Sequence, residues 1–150
     1  MDRNILAEVF KQIIEGRDFA DCKRLVNVKS DIACFIPAGC PYSMATNVWH
    51  CDFWNRLWLA RLNGEKRPSA NIYKDDWHVP PPEEWLTVRE SFLANLNRAH
   101  QMTTDESFEH AMEDDDKAME KLTQIAIHTA YHVGQIALVK RMAKAEMKTR

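Results

Sequence analysis

Two histidines four residues apart, His128 and His132, stand in the middle of an apolar stretch from Ile125 to Arg141. On a helix that spacing puts both imidazoles on one face, one turn apart. The same stripe carries Ile125, Gln135, Ile136 and Val139, so the pair points where a core-facing helix points inward. An imidazole buried in an apolar seam is unfavourable unless its nitrogens find partners. A divalent cation is the partner this spacing suits best, because neutral imidazole is the commonest biological metal ligand. Spacing alone leaves the pair open between a metal site and ordinary core histidines.

Two ligands from one helix hold a cation poorly, so a third must come from a neighbour. His50 is the candidate, since it alone among the other histidines lies mid-helix on an apolar face, with Phe53, Trp54 and Leu57. It reads equally as a core histidine with a satisfied hydrogen bond. His78 sits in a loop beside Trp77 and reads as a packing or surface residue. His100 and His110 read as solvated. Tyr131 and Gln135, beside and one turn beyond the second histidine, are candidates to hydrogen-bond a metal-bound species.

The elements that must position these residues are helical. The chain has 150 residues, 45% of them hydrophobic, with only four glycines and a net charge of −2. That describes one helix-rich domain spanning 1–150, with no basic footprint for nucleic acid. There is no apolar run long enough to cross a bilayer, and Met1 to Asn4 open on mixed charge rather than a signal peptide, so a cytoplasmic location is expected. Four cysteines, Cys22, Cys34, Cys40 and Cys51, form no C-x-x-C pair and read as reduced thiols. Cys51 follows His50 directly and should point about 100° away around a helix, which removes it from the ligand set.

Ile5, Leu6, Val9, Phe10, Ile13 and Ile14 predict a first amphipathic helix that Gly16 stops. A weaker helical pattern continues to about Val28, and Asp31 to Pro41 reads as a loop. A second long helix is expected from about Ser43 to Leu62. Its apolar residues cover more than one face, so it is buried on two sides or lies at a subunit contact. Glu65 to Pro82, with Pro68 and Trp77, is a long excursion packed back on the body. A third helix follows from about Glu83 to Met102, with Trp85, Val88, Phe92, Leu96 and Ala99 inward. Glu113 to Asp116 read as the solvated acidic start of a fourth helix, Lys117 to about Met147, that ends on Lys140, Arg141, Lys144 and Lys148. The fold expected is all-α: a four-helix bundle with a long decorated loop between the second and third main helices.

The order of these features resembles the DinB/YfiT-like superfamily. The resemblance rests on His128-x-x-x-His132-x-Gly134-Gln135-Ile136 with Tyr131 before the second histidine. It rests also on Gly39-x-Pro41-Tyr42-Ser43 leading into the helix that centres on His50, and on the tryptophan-and-proline segment from Trp77 to Trp85. It implies a four-helix bundle, commonly a homodimer, whose His50, His128 and His132 bind a divalent metal, often nickel or zinc. It also implies an enzyme of the kind that uses a small thiol, or a relative with another reaction.

Three neutral histidines would leave the full charge on the cation and at least one coordination position open. Such a site can activate water for hydrolysis or hold a low-molecular-weight thiol as thiolate. Trp49, Phe53, Trp54 and Trp77 are expected to form an apolar substrate pocket beside it. Thr129 and Ala130 stand where an H-E-x-x-H peptidase needs its glutamate, which argues against peptide hydrolysis. The expectation is a metal-dependent S-transferase or hydrolase acting on a small molecule, with neither nucleic acid nor membrane as partner. The alternative is a non-catalytic metal-binding or dimeric stress-response protein.

Overall fold

The long helices form where the apolar residues recur at helical spacing. A computed structural model describes residues 3–17, 19–65 and 71–149, apart from the side chain of Tyr73. Among them there are helices and irregular connections and no strand. Helix α1 spans Arg3–Glu15 and buries Leu6, Phe10 and Ile13, while Ile5 and Val9 face outward. Gly16 ends it at φ 69°, its N–H bonded to Gln12 O at 2.8 Å. A Cβ there would lie 2.2 Å from the backbone nitrogen of Asp21, so space and backbone both demand glycine.

Two one-turn helices follow, α2 (Cys22–Val26) and α3 (Ser30–Cys34). The second corrects the expected loop from Asp31 to Pro41: Ala33 is fully buried and holds that turn against the core. The end of α2 is pinned from two directions. The Trp85 indole N–H donates to Val28 O at 2.9 Å, and Lys140 Nζ donates to Arg24 O at 2.9 Å.

Helix α4 (Met44–Leu62) starts on Ser43, whose hydroxyl accepts from the Thr46 N–H at 3.1 Å. It packs against both α6 (Trp85–Thr104) and α7 (Asp115–Lys148), which explains why its apolar residues are not confined to one stripe. The excursion before α6 contains one helical turn, α5 (Ile72–Asp75), and a 3₁₀ turn at Pro82–Glu84. Pro68 lies outside the described residues. Helix α7 is capped by Asp114, whose carboxylate accepts from the Lys117 N–H at 2.8 Å. Its acid start and basic end complement the helix dipole.

Helices α1 and α4 each touch both α6 and α7, so the four long helices close a ring in the order α1, α6, α4, α7. Phe10, Phe92, Leu122, Ile125 and Ile136 fill its middle. None of the described helices is long and apolar enough to cross a membrane.

Candidate metal centre

Where α4 crosses α7, the two helices bring His50, His128 and His132 together. One nitrogen from each lies within 4.8 Å of the others. Ring centroids are 4.4 Å apart for His128 and His132, 4.7 Å for His50 and His132, and 5.4 Å for His50 and His128. Residues 78 positions apart in the chain, Cys51 and Thr129, also meet at this crossing, at Sγ to Oγ1 3.8 Å. Both are fully buried, and burial pushes the Cys51 thiol up out of the reactive range. Cys51 turns away from the cluster, as its place next to His50 on a helix requires.

The imidazoles are held in the neutral form. Burial pushes His128 down to about 3, and the nearby His132 and His50 push the same way. Burial and then His50 take His132 down to about 4, with Gln135 opposing. His50 is lowered by burial against the pull of Asp76. Desolvation dominates all three. Neutral imidazoles offer lone pairs without first losing a proton, which is the state a cation needs.

Two of the rings are oriented from behind. His132 donates through Nδ1 to Asn47 Oδ1 at 2.8 Å, and the Asn47 amide N–H in turn donates to Gln135 Oε1 at 3.3 Å. Asp76 Oδ1 sits 2.6 Å from His50 Nδ1, a contact of a carboxylate with a neutral ring. With Nδ1 engaged, Nε2 keeps its lone pair for a ligand. His50 Nδ1 and His128 Nδ1 are both buried without a hydrogen bond of good geometry, and His128 differs in having no carboxylate in contact with its Nδ1. Such an orphan is unfavourable in a cluster of neutral rings, and a shared cation is what would relieve it. The residues present therefore fit a divalent metal with three nitrogen donors.

An open cavity of about 980 Å³ leads to His50 and His128. Trp54 and Tyr131 line it, and so do Trp58 and Asp76, which the sequence did not single out. Trp77 is stacked on His50 with centroids 3.9 Å apart, and Tyr42 stacks on Trp77 at 5.0 Å. The structure puts two of the expected pocket aromatics elsewhere. Trp49 lines a separate shallow depression with Arg56 and Ser91, and its indole N–H donates to Asp75 O at 2.7 Å. Phe53 is buried with its ring edge-on to Trp54.

The missed wall residue had a signal. Trp54 and Trp58 follow His50 at four and eight residues, hence on its face, whereas Trp49 and Phe53 are turned about 100° and 60° away. Asn47, one turn before His50, could have been found the same way. Asp76 carries no periodic signal, since it comes from the excursion.

The remaining histidines stay outside the centre. His78 Nε2 pairs with Glu84 Oε2 at 3.1 Å. His100 and His110 are partly covered rather than solvated. His110 bonds Asp115 Oδ1 at 2.8 Å through Nε2 and accepts from the Met112 N–H through Nδ1, which ties the connector to the start of α7.

The sequence profile of the DinB superfamily matches residues 23–136, a span that contains all three histidines. No curated protein and no solved structure matches the chain.

Proposed function

Because the chain belongs to the DinB superfamily and its fold gathers three neutral imidazoles at one end of an open cavity, we propose a metal-dependent enzyme that activates a small thiol or water. The observation that carries the reading is the convergence of His50 from α4 with His128 and His132 from α7. Nickel and zinc both suit three nitrogen donors of this kind. A divalent cation held there supplies a Lewis acid that makes bound water or thiol a nucleophile near neutral pH.

The chain's own residues do the rest. Asn47 and Asp76 keep His132 and His50 turned toward the centre, so no ordering of the rings is left for the moment of binding. Trp77, laid over His50, excludes water from one side of that ring. The cavity leaves the His128 side open for a substrate. Tyr131, 64% exposed at the rim and edge-on to His132, is placed to donate a hydrogen bond to what binds there. These contacts support an S-transferase or hydrolase acting on a small molecule.

We take the working unit to be a homodimer. Support comes from exposed Phe19 and Leu138, which flank a depression over Ala130, Gly134 and Ala137 on α7. The cytoplasm suits the four free thiols, which stay reduced there.

The test is metal content. Protein purified without an affinity tag should carry about one divalent ion per chain, and His50→Ala, His128→Ala and His132→Ala should each lose it. A wild-type chain that binds no divalent metal, or three variants that all retain it, would end the proposal. A thiol-conjugation screen on metal-loaded protein then separates transferase from hydrolase.

A further inference from the structure

Helix α7 turns a second apolar face outward. Ile127, Tyr131 and Leu138 are 67%, 64% and 58% exposed, and Gly134 lies exposed among them. The four follow one another in steps of four, three and four, the spacing of a seam along which two helices pack. The same alternation runs on through Gln124 to Glu120 in one direction and to Arg141 in the other, all of them exposed.

Nothing within the described chain asks for a glycine at 134. It lies inside a long helix, where glycine is a weak former, and a Cβ built there meets no atom within 4 Å. Its φ is not positive, so the backbone would accept a side chain. A glycine so placed leaves room for another body to come close to the helix.

The face is complementary to itself when two copies of α7 run antiparallel. With Tyr131 set over Gly134 of the partner subunit, Ile127 meets Leu138 of the partner subunit. Arg141 of the partner subunit then enters the space between Glu120 and Gln124. Each contact occurs twice, as a two-fold axis requires. Arg141 makes no ion pair with a described residue. Glu120 has a contact with Lys117 at 2.8 Å, exposed on both sides and therefore weak. The acidic start of α7, Asp114 to Asp116, comes to the same end as Lys144 and Lys148 of the partner subunit. A parallel pairing would set each of these charges beside its own kind.

The seam also runs along the cavity. Glu120, Gln124, Ile127 and Tyr131 belong to both. We propose that a second copy of this chain docks antiparallel along α7 and completes the cavity, so that each centre is reached through a pocket walled by two chains. Leu138 and Arg141 of the partner subunit lie across Ile127, Gln124 and Glu120, and bring a guanidinium to a lining that has none among the described residues. The inference rests on the homodimer of the preceding section and adds the face, the direction and the effect on the site. It does not need bound metal.

Sedimentation equilibrium of the full chain over about 1–100 µM tests it. The wild-type chain should approach twice its 17.5 kDa mass at the upper end. Gly134→Gln should weaken self-association at least about 30-fold, yet raise the thermal midpoint of the dilute monomer by about 2 °C. A glycine needed within the chain would lower that midpoint instead. Arg141→Glu should weaken the dimer about tenfold, and adding Glu120→Arg should restore it to within about threefold. Acrylamide should quench the indoles of the wild-type dimer less than those of Gly134→Gln, because Trp54 and Trp58 line the covered cavity. A lower midpoint in Gly134→Gln, a dimer that survives both single variants, or indoles equally quenched in dimer and monomer would overturn this inference and leave the homodimer standing. A wild-type chain that stays monomeric would end both, while metal content of the same samples decides the centre separately.

Discussion

Asn47 and His132 sit 85 residues apart in sequence and 2.8 Å apart in space, and their hydrogen bond fixes which imidazole nitrogen faces the centre. A carbonyl oxygen can only accept, so Nδ1 of His132 carries the proton and Nε2 keeps its lone pair. The Asn47 amide is itself oriented by Gln135 Oε1 at 3.3 Å. The chain Gln135, Asn47, His132 thus converts a helix crossing into a ligand of defined tautomer.

Removing that acceptor should loosen the metal without unfolding the bundle. Asn47→Ala is expected to weaken divalent-metal affinity by about 10–100-fold, the range typical of groups that orient a liganding histidine. Asn47→Asp keeps an acceptor in place and should retain most of the affinity. Asp76→Ala should behave like Asn47→Ala, since Asp76 Oδ1 is the contact on His50 Nδ1. Competition against a chromophoric chelator measures all three, with helical content by circular dichroism as the control. Unchanged affinity in both alanine variants would show that ring orientation is set by packing alone.

How much of this was legible in the sequence depends on which residues obey a helical period. The long helices and the all-α class followed from repeats such as Leu6, Phe10 and Ile13, which the structure buries together. His50, His128 and His132 were legible because each sits on an inward stripe of a long helix, and the structure brings the three within reach of one ion. Trp58 was legible in principle, at two turns beyond His50. Asp76 and the turn at Ser30–Cys34 were not. Both lie in connections whose conformation is decided by what they pack against: Asp76 by His50, and Ala33 by the core.

The lowered imidazoles make the metal-free protein acid-sensitive with a defined sign. His128 titrates at about 3 in the folded chain, below its ordinary 6.5. Between those values the unfolded chain binds the proton and the folded chain does not, so stability rises with pH through that window and falls as pH drops from 6.5 toward 3. His132, down to about 4, adds in the same direction. Urea midpoints of chelator-treated protein should therefore fall from about pH 7 to about pH 5, and His128→Leu should flatten the fall. A midpoint that does not move with pH in the wild-type chain would contradict the burial of these rings in their neutral form.

On the opposite face of α4, Asp52 provides a contrast between stability and function. Its carboxylate is 3% exposed and accepts from Ser91 Oγ at 2.6 Å and Asn95 Nδ2 at 2.8 Å, both on α6, and from Arg56 Nε at 3.1 Å. Burial raises its carboxyl, and those three donors oppose the rise. Two residues beyond His50, it points about 200° away around the helix, toward α6 rather than α7. Asp52→Ala would leave the Ser91 and Asn95 donors partly buried without their acceptor, at about 1–3 kcal/mol for each unsatisfied group. The loss expected is about 2–4 kcal/mol of folding stability, with Asp52→Asn losing less because one acceptor oxygen remains. Metal affinity of the fraction that stays folded should match wild type, because no part of this network touches the histidines. Paired urea and metal titrations of the two variants check this. A loss of metal affinity larger than the loss of folded protein would mean that the α4–α6 contact also positions His50, and that the two faces of α4 are coupled.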